Sequence, residues 1–212
     1  MIKKASIALA AISLLIVAGC TQASQKDTTD VISNDTEQRS EIVQNLQKGG
    51  YVVYFRHAQT ETDYADQINA TLGDCSTQRT LSEDGWKQAQ EIGEAFKDLN
   101  IPVGKVYSSE YCRAWQTADL AFGKYEKTSD LNFFPAEEYT DEQMATMNEA
   151  VKPYLIQIPS TGENTVIVGH DDVFEAATGI YPEPQGVAYI LKPNGESFEI
   201  IQRVASDEWN EI

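Results

Sequence analysis

Apolar positions along this chain fall into a few recurring patterns, and each predicts a different element. Short runs of β-branched and aromatic residues at Tyr51–Phe55, Val103–Ser109 and Thr165–Val168 read as strands, the first with no polar residue in it. Between them the apolar residues recur at helical spacing. In Leu81–Leu99 a stripe of Ala89, Ile92, Ala95, Phe96 and Leu99 marks a core-facing helix, with Ser82 as its N-cap and Gly85 as a weak position in its first turn. Asn100 and Pro102 stop it. Glu41–Gln47, Tyr111–Ala121, Asp141–Leu155 and Val173–Thr178 read as further helices, and Thr140 with Gln143 forms a capping box for the third of these. Leu131–Phe134 is a short strand-like run. Gly186–Leu191 and Ser197–Val204, joined through Pro193-Asn194-Gly195, read as a hairpin. The alternation of strand and helix with a closing hairpin predicts an α/β fold. It would be a three-layer α/β/α sandwich, mostly parallel with an antiparallel C-terminal edge.

The first forty residues follow other rules. Lys3 and Lys4 precede an apolar run, Ala5–Ala18, that is too short to span a membrane, and Gly19-Cys20 follows. Val17-Ala18-Gly19-Cys20 resembles a bacterial lipobox, which implies cleavage before Cys20 and lipidation of its thiol. From Thr21 to Arg39 the chain is polar, with Val31 and Ile32 its large apolar residues, so it reads as a flexible linker able to reach about 25 Å. The expected organisation is a lipoprotein signal peptide over 1–19, a lipidated Cys and linker over 20–39, and one folded domain over 40–212. The protein would then sit outside the cytoplasm, anchored through Cys20 to a bacterial membrane on its periplasmic or cell-surface face.

Charge narrows the partners. The chain has 16 basic and 33 acidic residues; without Lys3 and Lys4 the balance is 14 against 33, a net of −19. Nucleic acid and anionic membrane surfaces are therefore poor partners, and an anionic substrate needs a local cationic pocket. Cys75 and Cys112 remain beyond Cys20; an oxidising compartment permits a disulfide between them, and the sequence leaves its formation open. No cysteine spacing suits a metal site.

The chemistry gathers at three strand ends. Tyr51–Phe55 runs into Arg56-His57, the strand ending at Ser108-Ser109 leads towards Arg113, and Thr165–Gly169 runs into His170. These segments hold both of the chain's 2 histidines. In open α/β sheets the ligand crevice lies beyond the carboxyl ends of the strands, so two Arg and two His delivered there would make a phosphoryl pocket. A neutral imidazole is a good nucleophile towards phosphorus, and guanidinium groups bind phosphate oxygens. Asp171 and Asp172, next to His170, suit the cap of the following helix.

Taken together, Arg56-His57-Ala58, Leu81-Ser-Glu-Asp-Gly85 with Gln88-Ala89, Ser108-Ser109 through Arg113 to Gln116-Thr117-Ala118, and Gly169-His170 resemble the histidine phosphatase superfamily, with its phosphoglycerate-mutase-like fold. The resemblance spans about Tyr51 to Gly179. It implies that His57 attacks phosphorus to form a phosphohistidine, that Arg56, Arg113 and His170 hold the phosphoryl oxygens, and that a carboxylic acid protonates the leaving alcohol. The mutase-like branch takes that acid from the region of Glu137 or Glu138, whereas the acid-phosphatase branch takes an Asp where Asp171 stands. Both assignments stay open on the sequence. The reaction implied needs no metal or organic cofactor, and the substrate is a small phosphomonoester. Two other readings use the same fold: a non-catalytic lipoprotein that binds an anion or a protein, and a phosphoglycerate mutase, which a secretory signal disfavours.

Overall fold

A computed structural model describes residues 41–62, 70–135 and 138–210. The expected signal peptide, Cys20 and the linker lie outside the described residues. The elements in chain order are helix α1 (41–48), strand β1 (Val52–Arg56), helix α2 (Glu83–Asp98), strand β2 (Val103–Ser109), helix α3 (Cys112–Phe122), strand β3 (Glu126–Thr128), helix α4 (Asp141–Ile156), strand β4 (Asn164–Gly169), helix α5 (Asp171–Thr178), and strands β5 (Ala188–Pro193) and β6 (Phe198–Val204). Single 3-10 turns sit at Cys75–Thr77, Ser129–Leu131 and Glu208–Asn210.

The strands form one sheet in the order β3-β2-β4-β1-β5-β6. β3, β2, β4 and β1 are parallel, and β5 and β6 close the far edge in antiparallel fashion. This is the mixed α/β sandwich that the alternation of elements predicts. Crossovers between parallel strands are right-handed, so reversing the direction of travel along the sheet puts the connecting helix on the other face. The chain moves outward from β1 through β2 to β3 with α2 and α3 on one face. It returns to β4 through α4 on the other.

Alternation along β1 shows the two faces directly. Val53 and Phe55 pack with Ile92, Phe96, Ala118 and Trp209 on the α2/α3 side, together with Ile42 and Leu46 of α1. Val52 and Tyr54 pack with Val151, Leu155, Val173 and Phe174 on the α4/α5 side. All five residues of β1 are buried, as befits a strand covered on both faces.

Most boundaries follow the local signals. The Ser82 side chain accepts from Gly85 N, and Thr140 with Gln143 makes both halves of its capping box. The edge strand is an exception. The apolar run Leu131–Phe134 is not a strand; the polar Glu126-Lys-Thr128 is, pairing with Tyr107–Ser109. An exposed three-residue edge strand needs no apolar pattern, and Leu131 instead buries itself against the α4 side.

Gly85 has a different meaning from the one its propensity suggests. A Cβ there would lie 1.8 Å from Gln59 O, so its bare backbone lets the start of α2 press against the segment after His57. An exposed helical Gly→Ala change stabilises by about 1 kcal/mol. Here overpacking reverses the sign: Gly85→Ala is expected to lose about 1–3 kcal/mol in urea unfolding. A gain in stability would show that the contact with Gln59 yields.

Candidate active site

The register of the central strands brings the chemistry together. Arg56 pairs with Gly169 across β1 and β4, and Ser108 pairs with Val168 across β2 and β4, so the three strand ends finish level. Arg56, His57, Arg113 and His170 are all buried there, at 8%, 0%, 3% and 1% exposure, and the two imidazole centroids lie 5.4 Å apart. The sequence-derived set of two Arg and two His therefore occupies one site.

The backbone after β1 is held by four separate partners. His57 N donates to Gly169 O at 3.0 Å, Ala58 N to Thr117 Oγ1 at 3.0 Å, Gln59 N to Gln88 Oε1 at 2.9 Å, and Thr60 N to Gln185 Oε1 at 3.0 Å. Thr117 in turn donates to Arg113 O at 2.7 Å, which ties this segment to the first turn of α3. Ala58 is buried against Leu81 and Ala89.

Hydrogen bonding fixes the protonation pattern of both rings. His57 Nδ1 lies 2.8 Å from Ala58 O, and a carbonyl only accepts, so Nδ1 carries the proton. Nε2 therefore keeps its lone pair, and Arg113 Nε donates to it at 3.2 Å. Burial, then the Arg113 charge, hold His57 well below the usual histidine range. At His170 the pattern is reversed. Asn132 Nδ2 donates to the Glu110 carboxylate at 2.8 Å, so its Oδ1 faces Ser109 and accepts the Ser109 hydroxyl proton at 2.8 Å. Ser109 Oγ then accepts from His170 Nε2, at 2.8 Å. His170 Nδ1 is left as a buried lone pair with no hydrogen-bond partner among the described residues. Burial, then the charges of Arg113 and His57, push this ring below the usual range as well.

Tyr54, read from sequence as a plain apolar strand residue, positions His170. Its hydroxyl donates to His170 O at 2.8 Å and accepts from His170 N at 3.1 Å. Gly169 makes room for it, since a Cβ there would lie 2.3 Å from the Tyr54 hydroxyl. Tyr111 and Phe133, stacked at 4.4 Å, form an aromatic wall beside His170, with the Arg113 guanidinium 5.1 Å from each ring centroid. Neither Tyr54 nor Asn132 carries a local sequence signal for these contacts.

The acidic candidates fall differently. Asp171 is not the cap of α5, whose N-cap is His170; Asp171 and Asp172 occupy its first turn, where they favour the helix dipole. Asp171 Oδ2 lies 2.6 Å from Arg56 Nη2 and accepts the Tyr181 hydroxyl. Arg56 also donates to Pro182 O at 2.9 Å. Burial, then the Asp171 charge, push Asp172 up to about 6. Glu138 is exposed, and Glu137 lies outside the described residues. Cys75 and Cys112, whose pairing the sequence leaves open, are joined in a disulfide. The bond ties positions 37 apart, which in the chain-entropy account contributes about 4 kcal/mol.

Residues 52–153 match the sequence model of the histidine phosphatase superfamily, branch 1. A search of the curated proteins gave no match. Among solved structures, a phosphoserine phosphatase variant from Entamoeba histolytica in complex with phosphoserine aligns with a TM-score of 0.53 at 13% identity, covering 74% of this chain and 97% of that one. A candidate alpha-ribazole-5'-P phosphatase from Escherichia coli gives 0.51 at 16% identity over 72% and 95%. TTHB049 from Thermus thermophilus gives 0.50 at 19% identity over 73% and 99%. At such identities the structural likeness speaks for the fold. The fold and the family match agree: residues 52–153 carry the sequence pattern of the histidine phosphatase superfamily on the fold of its solved phosphatases.

Proposed function

We propose that this protein is a phosphomonoesterase held outside the cytoplasm by a lipid on Cys20 and working through a phosphohistidine on His57. The observation that carries the catalytic reading is the state of His57. It is a neutral imidazole whose Nδ1 proton is fixed on Ala58 O, with the Nε2 lone pair beside Arg113 and the second histidine nearby.

The steps follow from that geometry. Nε2 of His57 attacks phosphorus, a P–N bond forms, and the bond from phosphorus to the leaving oxygen breaks. Positive charge passes to the ring, and the Ala58 carbonyl at Nδ1–H stabilises it. Arg56, Arg113 and His170 hold the phosphoryl oxygens and their developing charge. A carboxylic acid gives its proton to the departing alcohol. It then takes one from the water that breaks the P–N bond and returns the lone pair to Nε2. We place that acid at Glu137 or Glu138. The branch 1 match favours this segment, and Asp171 Oδ2 is already taken by Arg56 and Tyr181. In this reading Asp171 orients Arg56.

The first test is phosphate release from an aryl phosphate by protein beginning at Thr21. His57→Ala is expected to lose about a thousandfold or more in kcat. Asp171→Asn is expected to keep kcat within about tenfold, with a raised KM; a loss as deep as that of His57→Ala would return the acid to Asp171.

Proton balance gives a second test. His170 is neutral and its Nδ1 carries a lone pair, so it holds a phosphoryl oxygen only after gaining a proton. Its depressed affinity for that proton rises once a dianion sits beside it. Binding of inorganic phosphate at about pH 8.5, where the free ion is almost wholly dianionic, is therefore expected to take up about one proton, read by calorimetry in buffers of different ionisation enthalpy. In His170→Asn the uptake disappears. Equal apparent enthalpies in all buffers would contradict this role of His170.

The anchor is tested separately. Cys20→Ser is expected to move the full chain from the membrane fraction to the soluble fraction after detergent-free lysis, while a protein whose distribution does not change would remove the lipid from the proposal.

A further inference from the structure

The loop that leads from residue 70 into α2 has no part in the reading above, yet its end is tied firmly to the pocket. Cys75 is bonded to Cys112, the first residue of α3 and the neighbour of Arg113. Gln78 is 2% exposed; its Oε1 accepts from Cys112 N at 2.8 Å and its Nε2 donates to Thr71 O at 2.9 Å. On the other side of position 79, Glu61 N donates to Thr80 O at 3.1 Å, and Thr60 pairs with Leu81 in an antiparallel bridge. Position 79 is thereby fixed between the start of α3 and the segment that follows the nucleophile. Its residue is an arginine of intermediate exposure. The Arg79 charge reaches both imidazoles and disfavours their protonation, at His170 more strongly than Arg56 does.

We infer that Arg79 is a further phosphate-binding residue of this site, working beside Arg113, and that the Cys75–Cys112 bond and Gln78 are the positioning elements that deliver it. The inference rests on the phosphatase reading and deepens it. A phosphomonoester brings between one and a half and two negative charges, roughly, at neutral pH. Arg56 and Asp171 meet at 2.6 Å, so this pair presents little net charge to a ligand. Arg113 supplies one positive charge next to the His57 lone pair. The Arg79 charge reaches His57 and His170 alike, the two rings that a phosphoryl group would meet. A chain of net charge −17 needs such local concentration to hold a dianion.

The test is calorimetric titration with inorganic phosphate, beside steady-state turnover of an aryl phosphate, in the wild type, Arg79→Gln, Arg79→Lys and the double variant Cys75→Ser/Cys112→Ser. Arg79→Gln is expected to weaken phosphate binding about tenfold to a hundredfold and to raise KM by a similar factor. Arg79→Lys recovers part of the loss, because a point charge replaces a fork. The double serine variant weakens binding in the same direction, and adding Arg79→Gln to it costs little more, as expected of residues that act through Arg79. Should the double variant fail to fold, Arg79→Gln with its disulfide intact decides alone. Wild-type binding and KM that Arg79→Gln retains within about twofold would overturn the inference and leave the phosphatase standing. A wild-type protein that neither binds phosphate nor releases it from the aryl ester would remove the phosphatase reading, and this inference with it.

Discussion

Four consecutive backbone N–H groups, those of His57 to Thr60, each find an acceptor, and the structure of the site depends on how they do so. Each is served by a different part of the chain: β4, α3, α2 and the segment before β5. A buried donor left without a partner costs about 1–3 kcal/mol, so a conformation that loses the partner of buried His57, Ala58 or Thr60 is strongly disfavoured. His57 is thus placed by the agreement of four elements, and none of them can move without the others. Gly85 belongs to the same constraint, because only a bare Cα lets α2 come close enough for Gln88 to reach Gln59. The outcome is a site organised before any ligand arrives, which is what phosphoryl transfer asks of a protein.

Electrostatics set the second condition. Two buried imidazoles stand among guanidinium groups and remain neutral, for which burial is the leading cause. Meanwhile Asp171 and the raised carboxyl of Asp172 stand next to Arg56 and moderate the positive field. The pocket is therefore less cationic than two arginines and two histidines alone would make it. That restraint limits the repulsion among like charges that the fold has to contain.

What could be read from the chain was whatever is encoded locally. The strand ends that carry Arg56-His57 and Gly169-His170, the Ser82 cap and the Thr140 capping box all depend on neighbours within a few positions. The features that escaped depend on partners far apart in sequence. Tyr54 looks like one more apolar strand residue until β4 is laid beside it, 116 positions away. Asn132 looks like a loop residue, although it decides which nitrogen of His170 carries the proton. The run Leu131–Phe134 was apolar for the sake of the α4 face and the aromatic wall, and no strand was needed to explain it. Cys75 and Cys112 carry no spacing rule that would have revealed their bond.

The relay from Asn132 through Ser109 to His170 has a direction, and direction has consequences for selectivity. Each proton in it points away from the pocket, so the pocket meets its ligand with an acceptor. An oxyanion that carries its own proton, as a phosphate monoester does in its monoanionic form, supplies what that nitrogen lacks. A sulfate ester is fully deprotonated at any ordinary pH and brings no proton, so that nitrogen must draw one from solvent before it can hold the ester. An asparagine that never touches the ligand thus decides that a proton must arrive with the anion or from solvent.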